Sequence, residues 1–180
     1  RGHFFNPYVF LRGDTQDDKY FPTKGFNINI EGKFINVLKS NSEKNVQVKA
    51  KVDFSVPINS WLSYRLQTFG GISLSTPNSF YQYRLGGIFD QNLGNFFWFS
   101  GYELGQNSGN NLIGATNSLQ FKIGKNYFIS PMISLADLFE NFKETDFLKI
   151  NYSSVGLTAG YKSPFGQIKI NYSHPMQQAS

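Results

Sequence analysis

Few residues in this 180-residue sequence have the type and spacing that catalysis demands. A serine hydrolase sets its nucleophile in a G-x-S-x-G elbow. The nearest approach, Gly71-Ile72-Ser73-Leu74-Ser75, lacks the closing Gly. His3 and His174 lie far apart with no metal-ligand spacing, and His174, between Ser173 and Pro175, reads as a strand-end residue. Asp14 and Asp17-Asp18 do not have the regularly spaced ligands of a calcium loop and read as a solvated loop. With 0 Cys there is no thiolate or disulfide chemistry. No phosphate-cradling Gly loop or dinucleotide fingerprint is present. The residues therefore assign no catalytic centre, no cofactor and no metal, and the segment by itself is not expected to be an enzyme.

Charge points the same way. Seventeen Lys and Arg against 12 Asp and Glu give a net charge of +5. The surplus is spread along the chain without the basic cluster that nucleic-acid binding requires, so no nucleic acid partner is expected.

The composition instead describes a membrane wall. Charged residues are 16% and aromatics 17% of the chain, with 19 Phe, 10 Tyr, 2 Trp and 17 Gly. Soluble domains carry roughly 25% charged residues. Mean hydropathy is nevertheless −0.33, and no apolar run approaches the roughly 20 residues of a membrane-crossing helix. Aromatic and Gly-rich, polar on average and without an apolar helix is the composition of barrel strands, in which alternate residues face lipid.

Periodicity sharpens this. Val46, Val48, Ala50, Val52, Phe54 and Val56 alternate with Gln47, Lys49, Lys51, Asp53 and Ser55, a strict period of two over 11 residues. A tilted transmembrane strand needs roughly 9–11 residues, whereas globular strands cluster near 5–6. Similar runs surround it. The reading is an all-β antiparallel transmembrane barrel with strands at roughly 3–12, 24–38, 44–57, 61–75, 112–124, 126–138, 151–162 and 166–174. A soluble β-sandwich is the competing fold, but it needs neither such long strands nor small Gly, Ser and Thr on the inner faces. Residues 80–109 stand apart, rich in Phe, Tyr, Gly and Asn without useful alternation. Loops beyond roughly 12–15 residues are commonly functional, and barrels fold such loops into the lumen. Trp61, Trp98 and the Tyr residues are candidates for the interfacial girdle.

Arg84-Leu85-Gly86-Gly87 followed by Phe99-Ser100-Gly101-Tyr102 resembles the long lumen loop of the BamA-type, or surface-antigen, barrel superfamily. Phe21-Pro22-Thr23-Lys24-Gly25-Phe26 looks like that family's P-T-x-G entry to a mid-barrel strand. The stretch from Ser163-Pro164-Phe165-Gly166 to Tyr172-Ser173-His174-Pro175 is similar to its penultimate hairpin. Within the superfamily the wording most resembles the C-terminal barrel of patatin-like phospholipases of the Bacteroidota. That resemblance implies a soluble lipase domain ahead of a 16-stranded barrel, with the strands here its eighth to fifteenth. It also implies an integral outer-membrane location in contact with lipid and lipopolysaccharide, and as further partners the N-terminal soluble domain or a second copy. The functions implied are anchoring, and export, of the lipase. The alternatives are a BamA- or TamA-like insertase and a small free-standing structural or adhesive barrel. The chain's end at Met176-Gln177-Gln178-Ala179-Ser180, without a terminal aromatic strand, adds to the expectation of a partial barrel.

Two departures bear on the site. The superfamily's loop carries an Arg that pairs with an Asp on the barrel wall, and here its place is taken by Ser100. Asp137 resembles the wall Asp, though Leu138 stands where Gly usually follows. A lumen-facing Asp137 needs another cation, with Arg84 one candidate, or water, because a buried unpaired charge is costly. The other reading places Asp137 at a wet strand end.

Overall fold

Alternating sequences make long strands, and the strands pair in simple order. The computed structural model describes residues 6–36, 44–75, 79–87, 94–140 and 150–177. Four strands come first: β1 (Tyr8–Asp14), β2 (Gly25–Asn36), β3 (Lys44–Pro57) and β4 (Leu62–Ser73). A single 3₁₀ turn at Ser79–Tyr81 and three short strands follow, β5 (Tyr83–Leu85), β6 (Phe96–Phe97) and β7 (Asn107–Gly109). Four long strands complete the described chain: β8 (Asn111–Ile123), β9 (Tyr127–Phe139), β10 (Tyr152–Ser163) and β11 (Gly166–Gln177). The main sheet has eight strands in the order β1-β2-β3-β4-β8-β9-β10-β11, and each neighbouring pair is antiparallel. The fold is thus an all-β antiparallel meander interrupted once, between β4 and β8.

The connections differ at the two ends. Residues 58–61, 124–126 and 164–165 turn β3 into β4, β8 into β9 and β10 into β11 at one end, and residues 15–24 join β1 to β2 there. The opposite end carries the longest connection of the sheet, the one between β4 and β8. Outer-membrane barrels place short turns toward the periplasm and long loops outside.

The two faces of the sheet have inverted polarity. Buried positions include Gln47, Ser55, Ser63, Ser73, Thr116, Gln120, Ser134 and Ser154. Val48, Phe54, Val56, Ile113, Leu119, Ile129, Ile133, Val155, Leu157, Ile168 and Ile170 are exposed on the other face. Water-soluble domains bury apolar groups and leave buried polar ones as exceptions. Here the apolar face has no protein covering among the described residues, so lipid is the medium that fits it, and a β-sandwich is excluded. Polar inner groups pair across strands: Asp53 accepts both Nε and Nη2 of Arg65 and also Gln67, Thr116 meets Ser134, and Asn171 donates to Thr158.

Two local features depart from regular pairing. Pro131 lies inside β9, and the β8–β9 ladder skips from Ser118↔Met132 to Phe121↔Ile129 because Pro has no N–H to donate. Its other neighbour is kept, with Leu157 opposite Pro131 across the β10 ladder. In the β10–β11 pair the register shifts between Ser153, opposite Gln177, and Ser154, opposite Pro175. Met176 is therefore the extra residue of a β-bulge.

The strand expected at 3–12 is seen as Tyr8–Asp14, and residues 1–5 lie outside those described. The last strand runs to Gln177 rather than to 174. The region 80–109 is not without secondary structure: β5 forms the centre of a three-stranded sheet, parallel to β6 and antiparallel to β7. Strands of two and three residues are too short to show alternation.

A charged side chain placed on the apolar face meets hydrocarbon, whereas a polar one on the inner face meets water and polar neighbours. Leu157→Arg is expected to lower folding stability in lipid bilayers by about 2–4 kcal/mol. Ser118→Gln, on the inner face, is expected to shift it by less than about 0.5 kcal/mol. Urea titration of both variants in vesicles measures the contrast.

Candidate functional site

The insertion between β4 and β8 lies against the inner face of the sheet, and its sequence explains how. Its own sheet is closed by Arg84 N–H donating to Asn95, Gly86 N–H to Phe97 and Gly87 N–H to Tyr102. Gly86 adopts φ 128° with the Glu103 carbonyl where a Cβ would stand, a conformation that favours Gly. This folding brings Tyr83, Leu85, Phe97, Phe99 and Tyr102 into one cluster with Leu112 and Ala136 of the wall, packed against Phe69, Leu138 and Tyr152.

Aromatic contacts run across the lumen. Tyr83 and Phe97 lie 5.7 Å apart, Phe97 and Phe69 5.6 Å, Phe69 and Phe99 6.5 Å, Phe99 and Tyr102 5.4 Å, and Tyr102 and Tyr152 5.8 Å. Each separation falls in the range where ring pairs attract beyond their area burial. The series links β4 to β10 through the insertion.

Both ends of this series are anchored on wall backbone. The Tyr83 ring covers Gly71, where a Cβ would lie 2.6 Å from it, and its hydroxyl reaches the carbonyls of Val48 and Ile72 at 3.1 and 3.2 Å. Tyr102 donates its hydroxyl to the Ser153 carbonyl, beside the bulge of β10 and β11. Gly101, at φ 94°, lies against Ser154, His174 and Pro175, with a Cβ position 3.0 Å from that of Ser154. Lys49 adds a bond to the Gly94 carbonyl, and Gln47 one to the Tyr81 carbonyl.

The structure separates the residues that the sequence singled out. Gly86, Gly87, Phe99, Ser100, Gly101 and Tyr102 lie together in the insertion, with Phe99 0% and Ser100 2% exposed. The Ser100 hydroxyl is buried without a hydrogen-bond partner. Arg84 stacks its guanidinium 5.7 Å from the Phe96 ring. Asp137 is not brought to either of them. It shares the apolar face with Ile133 and Leu135, stands opposite Ile113, accepts a hydrogen bond from Asn151, and lines a lipid-facing depression with Ile113, Leu135 and Ile150. Trp61 is exposed at the β3–β4 turn, as a girdle residue would be, but Trp98 lies inside the lumen.

A second inner element was missed in the sequence. Residues 15–24 are a built turn rather than a solvated loop. Asp17 accepts the Thr23 hydroxyl and the Thr23 and Lys24 amides. Asp18 accepts the Tyr20 and Phe21 amides and the ammonium of Lys162. Burial alone raises both carboxyls, but these hydrogen bonds outweigh it, with the Lys162 charge assisting at Asp18, and both lie below the ordinary value of 3.8. The turn delivers Phe21 into the lumen, stacked 4.3 Å from Phe128 under the Lys169 ammonium and against Gly160. Gln120 holds the carbonyl of Pro22. The signal available in sequence was the Asp-Asp preceding Phe-Pro-Thr, since side-chain carboxylates cap tight turns.

Apolar strands turned outward, a polar lumen and an internal brace define an integral outer-membrane β-barrel protein. The chain belongs to the OMP85 superfamily, whose model matches residues 1–180. Comparison with curated proteins found no match. Among solved structures it is similar to BamA from Haemophilus ducreyi lacking POTRA domains 1–3, at a TM-score of 0.75 and 16% identity. That alignment covers 98% of this chain and 40% of the BamA chain. At this identity the likeness establishes the fold.

Two outcomes follow from the geometry. Phe97→Ala empties the centre of the cluster and is expected to cost about 3–5 kcal/mol, while Tyr83→Phe removes only the hydroxyl bonds, about 1 kcal/mol. Urea midpoints in vesicles separate them. The depressed carboxyls of Asp17 and Asp18 contribute stability that is fully present above 3.8 and is lost as pH falls through their folded values. Amide exchange at Tyr20 and Phe21 is expected to accelerate below that point, relative to β-ladder amides at the same pH. Asp18→Asn is expected to show the faster relative exchange already at neutral pH.

Proposed function

We propose that this barrel segment anchors, and helps export, an attached soluble domain of the patatin-like phospholipase kind. The observation that carries this reading is how the insertion is held. Ser100 occupies the position where the resemblance implies an Arg, Asp137 lies on the lipid side, and the insertion is fixed by aromatic packing and by Gly101 and Tyr102 on the β10–β11 bulge. A brace made of packing and backbone hydrogen bonds has no charge pair to exchange, which suits a static anchor. The sequence wording around residues 95–102 and 152–166 supplies the phospholipase part of the reading. In the same reading the eight strands are the eighth to fifteenth of 16, and lipopolysaccharide, the soluble domain or a second copy are the partners.

The insertase alternative draws on the fold likeness to BamA. Depletion of the full-length protein in its own bacterium distinguishes the two. The expected result is loss of phospholipid-ester hydrolysis from isolated outer membranes, with other barrel proteins assembled normally. Accumulation of unfolded barrel proteins, with hydrolysis unchanged, overturns the anchor reading in favour of an insertase.

A further inference from the structure

The depression to which Asp137 contributes lies on the outer face of the sheet, where neither the anchor nor the brace uses it. It has a volume of roughly 470 Å³, spans β3, β4, β8 and β9, and is open toward the lipid. Two rungs of the ladder build it. Ala50, Gly70, Ile113 and Asp137 stand opposite one another in turn, and Val52, Thr68, Ala115 and Leu135 form the next rung on the same face. The small Ala50, Gly70 and Ala115 leave the hollow, while the larger Ile113, Leu135 and Ile150 surround its Asp137 end. The first rung is oblique to the strand ends. Asp137 is two positions from the loop end of β9, at Phe139, whereas Ala50 is six positions from that of β3, at Lys44. Three strand spacings, roughly 14 Å, separate the two residues. The hollow thus descends from a rim at Asp137 to the middle of β3, as an acyl chain descends from its headgroup.

We propose that this depression binds one outer-leaflet lipid with a primary-amine headgroup, its ammonium on Asp137 and an acyl chain over Gly70 and Ala50. The charge at the rim selects the headgroup. Asp137 accepts a hydrogen bond from the Asn151 amide, but that amide is neutral, and none of the ion pairs among the described residues includes this carboxylate. An ionised side chain facing the membrane is costly and calls for a counter-charge. An ammonium supplies the charge together with N–H donors, and a carboxylate has acceptor positions beyond the one that Asn151 fills. An anionic headgroup without an amine meets like charge there. The leaflet follows from the position of Asp137 near the loop end, which outer-membrane barrels turn outward. A second copy seated face to face would present the same surface, and no Lys or Arg lines the depression to meet Asp137.

The test is native mass spectrometry of the full-length protein in detergent, titrated with dipalmitoyl phosphatidylethanolamine or dipalmitoyl phosphatidylglycerol in the presence of EDTA. The two probes share their acyl chains and differ in the amine. The expected result is one retained phosphatidylethanolamine, bound about tenfold more tightly than phosphatidylglycerol. Asp137→Asn keeps an acceptor for Asn151 and removes the charge, so it is expected to abolish the preference. Ala115→Leu fills the hollow and is expected to weaken both lipids without reversing their order. Ile168→Ala, on the same face but away from the depression, is expected to change neither. Heat-shifted gel mobility establishes that each variant is folded. Equal binding of the two lipids by the unaltered protein, or a preference that survives in folded Asp137→Asn, overturns the proposal. Phosphatidylglycerol binding that appears only when Mg²⁺ replaces EDTA, and exceeds that of phosphatidylethanolamine, overturns the amine in favour of a metal-bridged phosphate. A lipid-free dimer that Ala115→Leu dissociates overturns the lipid in favour of a second copy.

Discussion

A strand that crosses a bilayer has to satisfy its backbone N–H and C=O groups within the sheet, because hydrocarbon supplies no partner. The rest of this molecule follows from that constraint. The strands are regularly paired, and the six inner strands of the eight-stranded order have a neighbour on each side. Apolar side chains are turned outward and polar ones inward, so that the usual relation between burial and polarity is reversed. Where the ladder is broken the cause is local: Pro131 has no donor to offer β8, and the bulge at Met176 lets β10 and β11 change register without abandoning their pairing.

A wide polar interior creates a second problem, since a sheet of this kind has no apolar core to hold its curvature. The insertion supplies one. Its Tyr83, Phe97, Phe99 and Tyr102 bring an apolar cluster into the lumen, and the wall receives it on Phe69, Leu112, Ala136 and Leu138. Polar ends are handled separately, by hydroxyl bonds from Tyr83 and Tyr102 to wall carbonyls. Small residues do the matching on the wall side: Gly71 admits the Tyr83 ring, and Gly160 admits Phe21. The two internal elements enter from opposite ends, one as aromatic packing and the other as a carboxylate-capped turn, and a space lined by both polar and apolar side chains lies between them.

The OMP85 assignment and the BamA-like fold therefore rest on different observations that agree. The match to the superfamily spans the chain, and the architecture repeats that of a barrel of 16% identity. The lumen brace of this chain is held by packing and backbone contacts. Ser100, buried and without a charged side chain, stands beside Gly101 on the bulge, while Asp137 is held by Asn151 on the far side of the wall.

The outer-membrane β fold was legible in the sequence because strand periodicity is a local property: Val46 to Val56 alternates whatever its neighbours do, and 11 residues is a bilayer length. The excess of aromatics and Gly between β4 and β8 likewise marked the insertion. Tertiary structure alone decided the rest. Asp137 is in phase with the outward Ile133 and Leu135, but that the strand runs unbroken through it was decided only by the ladder that sets it opposite Ile113. The small sheet around β5 was invisible because two- and three-residue strands carry no period. Asp18, Phe21, Phe128 and Lys162 meet across up to 144 residues of sequence, and a contact of that separation exists only once the sheet has brought its strands together.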